Sequence, residues 1–225
     1  MPVKEWKEYP ATYFLLGLTT LIFILQYVLS PFGATQSLNL YRMGAMYGLA
    51  VQYDPTQLWR LVTPIFVHIG IEHFLFNSLT LYFLGKLAEQ IFGTTRFLAL
   101  YLLAGIMGNA FTLLFSPEVV AAGASTSLFG LFAAIVILGY YSRNPYLNQL
   151  GRSYLALIGF NLIFNLFTPN VGIVGHLGGL VGGALAAIIL TNQVEKGLFS
   201  KQWRGLALLT YGVLIVLVLA YTYFI

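Results

Sequence analysis

The chain has 225 residues, of which 59% are hydrophobic and only 8% charged, where a soluble domain carries roughly 25% charged residues. Eleven basic and seven acidic residues cannot coat a soluble fold of this size, which excludes a soluble enzyme and a disordered chain. The net charge of +4 is too small and too scattered for a phosphate-binding patch, so no nucleic-acid partner is expected. The absence of cysteine removes disulfides, Cys-ligated zinc and cysteine nucleophiles. The lipid bilayer is the expected solvent.

A spanning helix needs roughly 20 apolar residues, and the charges cut the chain into such pieces. Residues 1–10 read as a short cytoplasmic tail, too short for a separate domain. In it Lys4 and Lys7 alternate with Glu5 and Glu8, and no Ala-x-Ala site follows. The first span, 11–29, is therefore expected to be retained rather than cleaved as a signal peptide. A long connection to His68 carries Leu38, Leu40, Tyr41, Met43, Met46, Tyr47, Leu49, Val51 and Tyr53, a mixture that predicts short helices in the membrane interface. The second span, 69–88, is interrupted by Glu72, His73, Asn77 and Lys86. Residues 97–117 and 119–142 predict the third and fourth spans.

The uncharged run 153–194 is too long for one helix. Thr168-Pro169-Asn170 divides it into a fifth span, about 153–167, and a sixth beginning near Val171. Residues 192–204 read as a cytoplasmic linker, and 205–225 as a seventh span. With a cytoplasmic N-terminus, nine of the eleven Lys and Arg residues fall inside, and only Arg42 and Arg60 outside. That asymmetry supports both the count and the orientation, and it places the C-terminus outside.

Polar groups within spans are costly and point to function. His73 and Asn77 lie one turn apart in the outer half of the second span. Ser125 falls in the first turn of the fourth span and His176 early in the sixth, so three helices bring these residues to one depth. Taken singly, a membrane serine can bond a carbonyl one turn back, and an asparagine can be interhelical glue. His68, at the outer boundary, reads as a loop-organising residue.

Together the four fit acyl transfer. A serine hydroxyl needs a base, and His176 can take its proton. The Ser125 backbone N–H, the His73 ring and the Asn77 amide are available to an oxyanion. Asp54 is the chain's one aspartate and lies in the outer connection. A Ser-His dyad is thus expected, and a two-aspartate protease is excluded. A zinc protease is disfavoured because His-Glu-x-x-His is missing; no cofactor or metal is expected. Gly179 and Gly183 form a small-xxx-small face on the sixth span that permits the close helix contact this chemistry needs.

These residues resemble the rhomboid family of intramembrane serine proteases. Gly123-Ala124-Ser125 with Phe129-Gly130 is similar to its nucleophile segment, and Gly175-His176-Leu177-Gly178-Gly179 with Gly183 to its histidine helix. His73-Phe74-Leu75-Phe76-Asn77 resembles the His-x-x-x-Asn motif, Trp59-Arg60 the pair in the first long loop, and Glu89 with Gly93 the Glu-x-x-x-Gly pattern. The match covers about 11–191, in the family's order. It implies an all-α membrane protein, a rhomboid-like six-helix bundle plus one C-terminal transmembrane helix at 205–225. The catalytic membrane domain would be 11–191, in the cell membrane.

The implied activity is cleavage of transmembrane protein substrates, with Ser125 as nucleophile, His176 as base, and His73 and Asn77 serving the oxyanion. Phe129 falls where the family often packs an aromatic on the histidine. Thr126 departs from the glycine usual after the serine, and its Cβ is expected to narrow the site or tilt the backbone donor. A catalytically inactive, membrane-protein-binding relative is the first alternative, although such relatives lose the serine or histidine. A small transporter, the second, would carry charges along a whole transmembrane path. The fifth span, with bulky Phe160, Leu162, Ile163 and Phe164, is expected to form a lateral gate with the second.

Overall fold

The computed structural model describes residues 4–30, 33–167 and 172–224. The break expected at Thr168-Pro169-Asn170 and the start of the sixth span at Val171 lie outside the described residues. A short helix α1 (Glu5–Glu8) precedes α2 (Pro10–Leu29). The outer connection holds α3 (Ser37–Arg42), strand β1 (Met46–Tyr47), α4 (Gly48–Tyr53) and two 3-10 helices, Pro55–Leu61 and Thr63–Ile65. Then come α5 (Gly70–Phe92), α6 (Thr94–Phe115), strand β2 (Val120–Ala121), α7 (Ser125–Tyr141), α8 (Pro145–Leu166), α9 (Ile173–Ile189) and α10 (Lys201–Phe224).

Among the described residues, α2, α6 and α10 are each long and apolar enough to cross a membrane. Helices α7 and α9 are apolar but 17 residues long, about 26 Å at 1.5 Å per residue. Helix α6 is the centre of the bundle, with 61% of its apolar window buried against 17% for α10. Packed on α6, α7 and α9 make the core, which includes Leu100, Tyr101, Leu131, Ile135, Ala186 and Ala187.

Several boundaries differ from the sequence reading: α5 runs on to Phe92 rather than 88, and α10 begins at Lys201 rather than 205. The fifth helix begins at Pro145, not near 153, because Asn144 caps it by accepting the Tyr146 N–H at 2.9 Å and proline suits the first turn. Arg152 is an exposed residue within that helix, not the end of a loop; its long stem lets the charge reach the headgroups. Residues 119–124 are not helical. They contain β2, paired antiparallel with β1 in the register Met46↔Ala121 and Tyr47↔Val120. The short helices expected in the outer connection are present. Its apolar residues divide: Leu40, Met46 and Val51 are buried against protein, while Leu38 and Tyr53 are exposed.

Buried polar side chains tie this irregular backbone down. Gln26 of α2 donates to the carbonyls of Ala34 at 2.9 Å and His68 at 2.8 Å. Asn109 of α6 donates to Leu61 O at 2.9 Å. Arg60 donates through Nη1 to Tyr41 O and Ala45 O at 2.8 and 2.7 Å, and its guanidinium lies over the Tyr41 and Trp59 rings. Each contact satisfies backbone that has no helical partner, the condition for irregular chain at membrane depth. At the opposite end Glu89 accepts the Ala11 and Thr12 N–H groups at 3.0 and 2.9 Å, a carboxylate on the N-terminus of α2. This is the structural work of the Trp59-Arg60 and Glu89 motifs.

The α7–α9 contact is the tightest. A Cβ at Gly179 would collide with the Thr126 carbonyl, and one at Gly183 with the Gly130 backbone. Helix α9 turns a second small face, Gly178 and Gly182, to Phe111 and Met107 of α6. The Gly183→Ala variant should therefore lose roughly 1–3 kcal/mol, the usual cost of forcing extra volume into a packed core. Gly212→Ala on α10, where a Cβ meets nothing within 4 Å, should be neutral. Thermal unfolding in micelles compares the two; equal midpoints would contradict the packing argument.

Candidate active site

Ser125 is the first residue of α7, and no backbone acceptor among the described residues takes its N–H. The turn before it is tightly held. Gly123 has φ +135°, and a Cβ there would lie 2.5 Å from His73 Cε1, so the position needs glycine for both backbone and space. Gly123 N–H donates to Pro64 O at 2.9 Å, and Ala124 N–H donates to His68 Nε2 at 3.4 Å. With those two donors used, the Ser125 N–H stands free among the first-turn donors at the helix N-terminus, where the aligned peptide dipoles favour an anion.

His176, the fourth residue of α9, is buried. Its Nε2 lies 2.9 Å from Ser125 Oγ. The Phe129 ring stacks on the imidazole at 4.2 Å between centroids and 9° between planes, which fixes the ring plane. The expected pair is thus within hydrogen-bond reach, and the expected aromatic covers it.

His73 and Asn77 occupy one face of α5. His73 Nδ1 accepts the Ile69 N–H at 3.3 Å, which leaves the proton on Nε2, the atom beside Gly123. Asn77 is buried, and its Nδ2 donates one hydrogen to His73 O at 2.8 Å; the amide keeps a second. His73 can offer its proton toward the nucleophile turn, which it abuts. Three helices meet here, with Ser125 against His176 and His73 against the turn, and Asn77 lies one helical turn along from His73.

Thr126 does not narrow the site. Its side chain is buried between α6 and α9, where a Cβ at Gly108 would lie 2.6 Å from Thr126 Cβ and one at Gly175 3.2 Å from its Cγ2. Those two glycines make the room for the Thr126 side chain.

Two neighbours were not singled out as site residues from sequence. His68 is fully buried; its Nδ1 donates to Phe66 O at 3.3 Å while Nε2 accepts from Ala124, so it joins the outer connection to the nucleophile turn. Asn165 of α8 places its side-chain amide nitrogen 2.9 Å from His176 Nδ1. The usable signal for it was depth: Asn161 and Asn165 are one turn apart near the outer end of the fifth span, level with His176.

Residues 55–193 match the Rhomboid domain family. The chain is 35% identical over 213 residues to the rhomboid protease GluP of Bacillus subtilis (strain 168), an alignment covering 95% of this chain and 40% of that protein. It is 32% identical over 139 residues to the putative rhomboid protease YdcA of the same organism, covering 61% of this chain and 70% of the relative. RHOMBOID-like protein 1 of Arabidopsis thaliana is 31% identical over 175 residues, covering 77% and 44%. The chain thus spans about two-fifths of the length of GluP and of the plant protein. It belongs to the rhomboid family and is an all-α, multi-pass membrane protein.

Burial, with a smaller contribution from His73, depresses the pKa of His68 to about 3 from an ordinary 6.5. The unfolded chain takes up a proton at His68 near pH 6.5 and the folded chain does not. The stability His68 contributes is therefore complete above about pH 6.5 and is lost as the pH falls toward 3. In micelles the parent should lose thermal stability between pH 6.5 and 4 more steeply than His68→Gln. Parallel curves would contradict a buried, neutral His68.

Proposed function

We propose that this chain is an intramembrane serine endopeptidase that hydrolyses peptide bonds in or near the transmembrane segments of other membrane proteins. The observation that carries the reading is the 2.9 Å approach of Ser125 Oγ to His176 Nε2, beside the unengaged N–H of Ser125. Membership of a family with relatives named as proteases supports it.

In this reading Ser125 Oγ attacks the scissile carbonyl carbon as its proton passes to His176 Nε2. The oxyanion is met by the Ser125 N–H, the His73 Nε2–H and the second Asn77 amide hydrogen. His176 then returns the proton to the departing amine as the C–N bond breaks. A water molecule repeats the sequence on the acyl-enzyme, releasing the acid and restoring Ser125. The Phe129 stack keeps the imidazole in line through both transfers.

The proposal includes seven spans, with a cytoplasmic N-terminus and an external C-terminus in the cell membrane. Nine Lys and Arg residues on one side and two on the other support that orientation. Residues 11–191 are the catalytic membrane domain, 1–10 a cytoplasmic tail and α10 an added helix that begins at Lys201, so the cytoplasmic linker expected over 192–204 is shortened to 192–200. Helix α10 leans on α6 through Tyr211, whose hydroxyl donates to Leu103 O at 2.9 Å, and on α4 through Tyr223, which donates to Val51 O at 3.1 Å.

Substrate entry is assigned to the outer half of α8. The inner end of α8 is held where a Cβ at Gly139 would lie 2.7 Å from Gly151 Cα, and where Asn148 donates to Gly139 O at 2.6 Å. Toward the outer end Leu155, Phe160, Ile163, Phe164 and Leu166 are exposed, and few side chains would have to leave a packed neighbour for that end to move.

With a transmembrane substrate in liposomes, Ser125→Ala and His176→Ala should abolish cleavage while the protein stays folded. Residual activity within about tenfold of the parent would overturn the dyad. Asn77→Ala should reduce turnover roughly 10- to 1000-fold with little change in apparent affinity, because an oxyanion donor acts in the transition state. A change confined to affinity would make Asn77 a structural or substrate-contacting residue.

A further inference from the structure

A base that must accept a proton on one imidazole nitrogen has to carry its own proton on the other. The neutral ring has two tautomers, and the partner of the far nitrogen selects between them. In His176 the near nitrogen, Nε2, faces Ser125 Oγ at 2.9 Å. The far one, Nδ1, faces the side-chain amide of Asn165 at 2.9 Å. The chain's one aspartate, Asp54, accepts from Thr56 in the outer connection and is not the partner of this ring.

We propose that Asn165, supplied by α8, is a positioning residue for His176 and acts on the Ser125–His176 dyad through that ring. The inference rests on the serine protease reading. A primary amide presents either its nitrogen or its oxygen to a neighbour by a half-turn about its last bond. No other hydrogen bond of the described residues holds the Asn165 amide either way round. With nitrogen donating to Nδ1, the ring proton would sit on Nε2 and His176 could not take the serine proton. With oxygen toward the ring, Nδ1–H donates to Oδ1 and Nε2 is free to accept. The base role selects the second arrangement. It also serves the next state: when Nε2 takes the serine proton, the imidazolium keeps its Nδ1–H donated to an oxygen. The Phe129 stack sets the plane of the ring; it cannot choose the tautomer, because a ring face has no preference between the two nitrogens.

The position of Asn165 adds a second consequence. It lies near the outer end of α8, among the exposed residues Ile163, Phe164, Leu166 and Phe167. Helix α8 is fixed at its inner end by Asn148 and the Gly139–Gly151 contact. The Asn165 contact ties its outer end to the base, so a displacement of that end carries Asn165 away from His176. The base is held in its working tautomer when α8 lies against α9.

The test uses the full chain in micelles, with a fluorophosphonate probe that reports the nucleophilicity of Ser125 without substrate entry. Asn165→Leu keeps the shape and removes the acceptor; it should slow labelling about 100-fold, the scale of a misplaced catalytic group. It should lower kcat on a transmembrane substrate by a similar factor with KM nearly unchanged. Asn165→Asp restores an acceptor and should label within about tenfold of the parent. Labelling by Asn165→Leu at the parental rate would overturn the proposal, as would an Asp variant as slow as the Leu one.

A measurement on the parent holds even if the variants fold poorly. In 15N-histidine-labelled protein at neutral pH, the His176 signal, assigned by its loss in His176→Gln, should show a protonated Nδ1 and a bare Nε2. The opposite tautomer would overturn the proposal. The two levels fail differently: a parent that is neither labelled at Ser125 nor active refutes the protease reading. A parent that is labelled, with Asn165→Leu equally fast, refutes only the role of Asn165.

Discussion

The close approach of α7 and α9 is the constraint on which the site depends. Ser125 and His176 are 51 residues apart and sit on different helices, and short side chains must bridge the gap between them. That is possible only where two backbones nearly touch. Gly179 lies on the Thr126 carbonyl and Gly183 on the Gly130 backbone, while Gly130 fits beside Ala104 of α6. A bilayer supplies little hydrophobic force between helices, so close van der Waals fit has to supply it. The same glycines hold the helices together and set the distance between the proposed nucleophile and base.

Two groups of polar residues are set apart by what they touch. Gln26, Asn109 and Glu89 satisfy backbone that would otherwise be bare, and Arg60 does the same from within the outer connection. Gln26, Asn109 and Arg60 thereby tie a long, irregular segment to the bundle, while Glu89 caps α2 at the opposite end. That segment is not peripheral to the chemistry. Through Pro64 O and His68 it takes up the N–H groups of Gly123 and Ala124, which fixes the turn that presents the first N–H groups of α7, that of Ser125 among them. The members of the second group touch the nucleophile turn or one another: His73 abuts Gly123 and is bonded by Asn77, and His176 faces Ser125 on one side and Asn165 on the other.

Much of this was legible in the sequence because a polar atom in an apolar run stands out. Ser125, His176, His73 and Asn77 could be placed at one depth from span boundaries and charge asymmetry alone, and the Gly179–Gly183 spacing foretold the contact that joins two of them. What was not legible had local causes. Arg152 looked like a helix boundary because a charge was read as an end, yet Asn144 and Pro145 start the helix a full two turns earlier. The β1–β2 pair is two residues long on each side, too short for any periodicity. Thr126 could not be placed without knowing that Gly108 and Gly175 face it. Asn165 shares its span with Asn161, which donates to its own helix at Leu157 O. Only the three-dimensional arrangement separates the asparagine that serves its own helix from the one that reaches His176.

The central claim is that one serine, out of all those in the chain, is activated by its surroundings. The direct measurement is to react the folded protein with a fluorophosphonate and map the adduct by mass spectrometry of its peptides. The account predicts a single modified residue, Ser125, with Ser127 and Ser142 untouched although both lie on or beside the same helix, and no adduct after unfolding. An adduct on another serine, or equal labelling of folded and unfolded chain, would contradict it.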